Sequence, residues 1–194
     1  MQIFNNLEDF KKLENAVVTI GSFDGVHIGH RLLLQKLCTT AQDTAGVSVV
    51  ISFNPHPQEV LHHDPNFFTI LTIEEKISLL EKENIDILLL LPFTPELANL
   101  SSEQFVEQIL VEKIGTRTLI MGPGNNFGKG REGNYQSSYN FLIKNGITPI
   151  LIEEYLMNDI AVRSSKIREA IIDKNYAKAE ALLGHSTFRK KELQ

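Results

Sequence analysis

The stretch Gly21-Ser-Phe-Asp-Gly-Val-His-Ile-Gly-His30 decides how the chain reads. Before it, Ala16-Val-Val-Thr-Ile20 is a short β-branched run of the kind that forms a buried parallel strand. After it, Arg31-Leu-Leu-Leu-Gln-Lys-Leu37 opens an amphipathic helix. Gly21, Gly25 and Gly29 lie between strand and helix. Glycine lets backbone amides approach a ligand closely, and the helix N-terminus behind them carries partial positive charge. His27 and His30, three residues apart, share one face of the first turn. Two imidazoles and a row of amides converge on one point, which is the pattern of a phosphate site. Glycines after a strand also make plain turns, and single histidines beside helices are commonly structural. Two histidines around a glycine at a strand-to-helix turn favour function. Zinc fits less well: His-x-x-His supplies two ligands, Cys38 lies more than two helical turns away, and no carboxylate has metal-site spacing.

Working outward, Gly46 stops the first helix and Val47-Ser-Val-Val-Ile-Ser-Phe53 reads as the second buried strand. It runs into Asn54-Pro-His-Pro57, where two prolines exclude helix and central strand. A stiff loop at a strand's C-terminal end is where open α/β sheets bind ligands; a rigid turn explains it equally well. His62-His63-Asp64 reads as loop, because consecutive side chains face different ways, and Phe67 and Phe68 either line a pocket or anchor the loop in the core, the core being favoured. Thr72-Ile-Glu-Glu75 is a capping box that starts a helix to about Glu83, with Ile73, Ile77 and Leu80 on its apolar face. Ile85–Leu91 is a third strand, closed by Pro92 and Pro95. Ser101-Ser-Glu-Gln104 caps a second helix ending at Gly115, and Thr118–Met121 is a fourth strand. A helix over Gln136–Lys144 and a fifth strand, Thr148–Ile152, follow.

Between the fourth strand and that helix lies Gly122-Pro-Gly-Asn-Asn-Phe-Gly-Lys-Gly-Arg-Glu-Gly133. Its formal G-x-G-x-x-G at Gly128, Gly130 and Gly133 is set aside as a dinucleotide fingerprint, because Asn125-Asn-Phe127 separates it from the strand. Lys129 is followed by Gly130 rather than Ser or Thr, so it is not a Walker A loop. The functional reading is a mobile loop that carries Lys129 and Arg131 over a triphosphate. Arg163-Ser-Ser-Lys-Ile-Arg168 then starts a helix with a serine N-cap, whose hydroxyls, amides and arginine make a second anion site. A last helix spans Tyr176–Leu183.

The 194 residues suit one α/β domain, with 42% hydrophobic and 22% charged residues as in ordinary globular proteins. A net charge of −5 lacks a nucleic-acid binder's footprint, and Arg189-Lys-Lys191 reads as a solvated tail. One cysteine rules out an intrachain disulfide and fits a reducing cytosol. The N-terminus has no signal core, and the longest apolar run, Ile87–Leu91, is too short to span a bilayer. These features imply a cytoplasmic protein with no membrane partner; they do not reveal an oligomeric state.

H-x-G-H is the signature of the HIGH-type nucleotidyltransferases. The longer G-x-F-D-G-V-H-x-G-H resembles the FMN adenylyltransferase (FAD synthetase) module of bacterial bifunctional riboflavin kinases, and Phe53-Asn-Pro-His-Pro57 resembles its F-x-P-H-P element. Phe127–Gly133 matches the second half of the family's G-x-[DN]-F-x-F-G-x-x-x-x-G. Gly124 stands where Asp or Asn is usual, and Asn125 where Phe is usual. Ser164, Ser165, Ile167 and Arg168 match S-S-[ST]-x-I-R, with Arg163 in place of the first serine.

The strand order and this resemblance imply a Rossmann-like parallel sheet of about five strands with flanking helices. The resemblance implies transfer of AMP from ATP to FMN, yielding FAD and pyrophosphate, with Mg²⁺ carried mainly by the phosphates. It assigns reaction roles to His27, His30, Ser164, Ser165 and Arg168. ATP contacts fall to Gly21, Ser22, Phe23, Asp24, Gly25, Gly29 and Arg163; flavin contacts fall to Phe53, Asn54, Pro55, His56, Pro57, Asn125, Asn126 and Phe127. The expected organisation is an adenylyltransferase domain over residues 1–185 and a polar tail over 186–194, with the riboflavin kinase module absent. Alternatives are another small-molecule adenylyl- or cytidylyltransferase, or a flavin- or nucleotide-binding homologue without catalysis.

Overall fold

The computed structural model describes residues 1–61 and 67–187, so the readings of His62-His63-Asp64 and of the tail from Phe188 onward lie outside the described residues. The elements run β1 (Gln2–Phe4), β2 (Ala16–Ile20), α1 (Ile28–Asp43), β3 (Val47–Phe53), α2 (Pro57–Leu61), α3 (Ile73–Glu81), β4 (Ile87–Leu91) and α4 (Pro95–Asn99). A short α5 (Ser102–Gln104) leads into a wider π-helical stretch, Phe105–Ile114. Then follow β5 (Thr116–Met121), a 3₁₀ turn (Lys129–Arg131), α6 (Tyr135–Lys144), β6 (Thr148–Leu151), β7 (Leu156–Met157), β8 (Ile160–Ala161), α7 (Ser164–Ile172) and α8 (Tyr176–Leu183).

The main sheet has six strands in the order β1-β4-β3-β2-β5-β6, and each pairing is parallel. The chain moves outward from β2 through β3 to β4, then returns to the other side of β2 for β5 and β6. The reversal therefore falls between β2 and β5, where open sheets leave a crevice at their carboxyl ends. Both faces of the sheet are covered. Val17, Val50, Leu88 and Ile120 pack with Leu33, Leu34 and Leu37 of α1 and with residues of α7 and α8. Val18, Ile51, Leu89 and Leu119 pack on the other face with Phe105, Leu110 and Ile114 and with Leu142 of α6. Burial on both faces is why these strands read as unbroken apolar runs.

Five strands lie where the sequence predicts them. The sixth, β1, is a three-residue edge strand with the pattern Gln-Ile-Phe, too short for periodicity to reveal. The two-residue β7 and β8 form a separate antiparallel hairpin. The prolines of the Asn54–Pro57 loop correct one expectation: Pro57 opens the short helix α2 rather than excluding helix. At the first helical position its missing N–H costs nothing.

Candidate active site

β2 ends at Ile20 and α1 begins at Ile28, so the glycine-rich stretch passes directly from strand to helix at the point of chain reversal. Within it Phe23 has φ 48°, Val26 φ 37° and Gly25 φ 90°. A β-branched residue in that region is strained, and such a loop persists only where its surroundings over-determine it. Asp24, 1% exposed, provides that constraint. Its carboxylate accepts from the Ile70 N–H at 2.8 Å and from Nη2 of Arg168 at 2.8 Å. The Arg168 Nε donates to the Phe68 carbonyl at 3.0 Å, and the guanidinium lies 4.6 Å from the centroid of the Phe67 ring. The Ser164 hydroxyl donates to the Asp24 carbonyl at 2.7 Å. Ser164 and Arg168 thus meet the first motif across 140 and 144 residues of chain, and they do so by clamping Asp24. The expected serine N-cap of α7 is corrected: Arg163 holds that position, and Ser164 is the first helical residue with its hydroxyl turned to the loop.

His27 is the N-cap of α1, and its Nδ1 accepts from the His30 backbone N–H at 3.2 Å. In the neutral ring the proton therefore sits on Nε2. The rings of His27 and His30 stack at 3.6 Å with 14° between planes, and Phe23 lies 5.1 Å from His30 on its other side. Burial pushes His27 down to about 4, with the His185 charge adding a smaller push and a backbone hydrogen bond opposing it. Burial likewise holds His30 well below the usual imidazole range, helped by the charges of His27 and Lys76. Both rings are neutral at physiological pH, so they meet phosphates as hydrogen-bonding groups rather than as cations. The His30 Nδ1 is buried and has no partner among the described residues.

Phe53, Asn54 and His56 line a cavity of ≈ 340 Å³ together with Thr69, Ile73 and Lys76, within the range of small-molecule sites. His56 is buried beside Phe67, with 4.8 Å between ring centroids. Its Nδ1 accepts from the Gln58 N–H at 3.1 Å, and burial, then the charges of Arg168 and Lys76, lower it to about 3. The neutral ring carries its proton on Nε2, and that atom is buried without a partner among the described residues. Pro55, joined to Asn54 by a cis peptide, and Pro57 stiffen the same wall.

Other residues singled out by the sequence have partners of their own or lie exposed. The Asn125 side-chain amide donates to the Ile20 carbonyl, bridging the ends of the two strands at the reversal point. Asn126 is exposed and donates to the Gly124 carbonyl. Phe127 is buried in the core, 5.7 Å from Phe105 between ring centroids. The loop around Lys129 is anchored: its N–H donates to the Leu100 carbonyl at 2.7 Å, and Glu132 accepts from the Ser102 N–H at 2.9 Å. Arg163 is exposed and paired with Glu154, and Ser165 is exposed in the first turn of α7. A larger hollow of ≈ 540 Å³, lined by Lys12, Gly115 and Arg117, opens at the opposite end of the sheet and holds none of the singled-out residues. Three participants were not legible in the sequence: Asp24 as a hub, Lys76, and His185, whose Nε2 lies 2.8 Å from the Gly25 carbonyl. Only position in space marks them.

The FAD synthetase family model matches residues 9–166. This chain belongs to the FAD synthetase family. The bifunctional riboflavin kinase/FMN adenylyltransferase of Buchnera aphidicola subsp. Schizaphis graminum is 33% identical over 193 residues, covering 95% of this chain and 60% of that protein. The chain thus spans about 60% of the length of the curated relatives it matches. Among solved structures, a macrolide-efflux protein from Streptococcus pneumoniae superposes with a TM-score of 0.83 at 27% identity, over 95% of this chain and 61% of that one. No helix among the described residues is long and apolar enough to cross a membrane. Pantothenate synthetase from Thermus thermophilus gives a TM-score of 0.55 at 14% identity, over 95% of this chain and 77% of that one, a likeness of fold.

Proposed function

We propose that this chain transfers AMP from ATP to FMN, giving FAD and pyrophosphate, and we assign the activity to residues 1–185. The observation that carries the reading is a pair of neutral, stacked imidazoles at a helix N-terminus beside a cavity walled by Phe53, Asn54 and His56. Membership of the FAD synthetase family supports it.

An oxygen of the FMN phosphate attacks the α-phosphorus of ATP in line, the α–β bridging P–O bond breaks, and pyrophosphate carries off the electron pair. Such a reaction is accelerated mainly by positioning and by donors aimed at developing charge. His27 and His30 donate to the ATP phosphates, with Gly21, Ser22, Phe23, Asp24, Gly25 and Gly29 forming the cradle. Ser165 and Arg163, at the exposed start of α7, meet the departing pyrophosphate. Ser164 and Arg168 fix the cradle through Asp24 and present what donor capacity remains. His56 and Asn54 hold the flavin, and Asn125 and Asn126 close the side formed by the loop after β5, which Phe127 anchors in the core.

No three His, Cys, Asp or Glu side chains cluster at metal-binding distance among the described residues. Mg²⁺ would accompany ATP and supply charge neutralisation on the triphosphate. The half-buried thiol of Cys38, donating to the Glu83 carbonyl at 3.4 Å, suits a cytoplasmic setting.

The test is pyrophosphate release by the purified protein from MgATP with FMN, beside MgATP with pantetheine phosphate. Release with FMN, accompanied by FAD on chromatography, is expected. Release with pantetheine phosphate alone identifies a different transferase. Flavin binding without release identifies a homologue that has lost catalysis.

A further inference from the structure

We propose that Lys76 is the cation that receives the phosphate monoester of FMN, and so sets the preference for the mononucleotide over riboflavin. The proposal rests on the functional reading above and adds a residue to it. Lys76 stands in the first turn of α3, where its position in sequence suggests an ordinary solvated lysine. In space it is 7% exposed. Its Nζ donates to the Ser22 carbonyl at 3.0 Å, and so touches the nucleotide cradle. The same side chain lines the cavity walled by Phe53, Asn54 and His56. Lys76 is thus shared by the two half-sites, at the boundary where the attacking phosphate must stand.

The ammonium is also incompletely matched. It has three N–H donors, and the Ser22 carbonyl takes one. Among the described residues it forms no ion pair. The nearby Asp24 carboxylate is already engaged by Arg168 and by the Ile70 amide. Burial disfavours the ammonium more than the charges of Asp24 and Glu59, neither of them paired with it, favour it, and an incoming phosphate dianion offsets that cost. Glu59 and Glu74 line the same cavity, with Glu59 accepting from the His56 backbone N–H at 3.3 Å. Their charge disfavours a phosphate beside them, which leaves the Ser22 end for the monoester and the His56 end for the ring system. The Lys76 charge is felt by both His30 and His56, consistent with a place between the two half-sites.

The experiment measures binding of FMN and of riboflavin to wild-type protein, Lys76→Met and Lys76→Arg by quenching of flavin fluorescence, with ATP KM measured alongside. Lys76→Met is expected to weaken FMN by tenfold or more and to change riboflavin and ATP by less than twofold, while Lys76→Arg keeps most of the FMN preference. Equal weakening of both flavins makes Lys76 a wall of the cavity and overturns the proposal. Unchanged FMN binding overturns it too. If Lys76→Met does not fold, wild-type protein and Lys76→Arg decide: equal affinity for FMN and riboflavin in both overturns it, and a preference for FMN in both supports it. Wild-type protein that prefers FMN yet forms no FAD refutes the functional reading alone; wild-type protein that binds no flavin refutes both.

Discussion

Two glycine-rich stretches leave the carboxyl ends of neighbouring strands, Gly21–His30 after β2 and Gly122–Gly133 after β5, and they are held in different ways. The strands are paired directly, Val17 opposite Thr118 and Val18 opposite Leu119. The first stretch hands the chain straight to a sixteen-residue helix, and its residues are buried or half-buried. A Cβ added at Gly25 would meet Leu183 at 3.1 Å and Ile70 at 3.2 Å. The second is pinned at Gly128 and Gly133, where a Cβ would meet Ser102 at 2.6 Å and Phe127 at 2.8 Å, and is open only at Gly124 and Gly130, where it would meet nothing within 4 Å. Its helix, α6, starts only at Tyr135, where the side chains of Asn134 and Ser137 each accept from the other's backbone N–H in a capping box. Glycine content alone therefore says little about phosphate binding. What matters is direct passage from strand to helix, with buried polar atoms left open once the loop has been fixed.

The largest effect expected from this contrast is at Asp24. Asp24→Ala leaves the Arg168 guanidinium buried opposite no charge and frees the Ile70 amide, which should destabilise the fold by about 3–5 kcal/mol. Gly130→Ala, at φ 63° on the outer loop, should cost only about 1–2 kcal/mol. Denaturant unfolding of both variants checks the ratio, and comparable losses would mean that the two loops are fixed to the same degree.

Next in size are the histidines. His27→Ala and His30→Ala should each cost on the order of 3 kcal/mol of transition-state stabilisation in adenylyl transfer, with the fold retained. Steady-state kinetics with a melting curve for each variant checks it. Near-normal turnover at an unchanged Tm would remove both from the reaction.

The same pair predicts a pH effect on stability without ligand. His27 titrates near 4 when folded and near 6.5 when unfolded. Between those values the unfolded chain binds the extra proton, so stability is complete above about pH 6.5 and falls as the pH drops towards 4. The slope is at most about 1.4 kcal/mol per pH unit from this group, and His56, lowered to about 3, steepens it. Urea midpoints between about pH 7.5 and 4.5 should decline for the wild type and decline less for His27→Ala. A wild-type midpoint that rises on acidification contradicts neutral burial of the pair.

The first stretch was legible because its chemistry is local: a β-branched strand, glycines and two histidines lie within fifteen residues. The meeting of Ser164 and Arg168 with it follows from the parallel sheet, since loops at one edge converge. What the sequence left open is how they meet. Nothing about Asp24 in Phe-Asp-Gly distinguishes a phosphate contact from a carboxylate that anchors Arg168 from across the fold. Lys76 hides in a helix whose Thr72–Glu75 capping box and apolar spacing give a complete local account. Phe127 sat in a glycine-rich motif and proved to be core, because its burial against Phe105 depends on a helix more than twenty residues upstream. The edge strand β1 was too short to declare itself, and Pro57 at a helix start looks the same in sequence as Pro57 in a turn.

The smallest effect expected is a gain, at Gly124, where the usual family residue is Asp or Asn. Its backbone lies outside the left-handed region that needs glycine, and an added Cβ would have open space around it. Gly124→Ala should therefore restrict the unfolded chain without disturbing the folded one, stabilising the protein by about 0.4–1 kcal/mol. The neighbouring contact most exposed to damage is the Asn126 side-chain amide on the Gly124 carbonyl at 3.0 Å, and a methyl group on Cα leaves that carbonyl in place. Adenylyl transfer should change by less than twofold, because the nearest link from this loop to the cradle is Asn125, which reaches the Ile20 carbonyl through its own side chain. Thermal melts and FAD formation measured on the same preparation check both parts. A stabilised variant with a large loss of transfer would show that the outer loop must move during turnover, and the contrast between the two glycine-rich stretches would then be one of timing rather than of role.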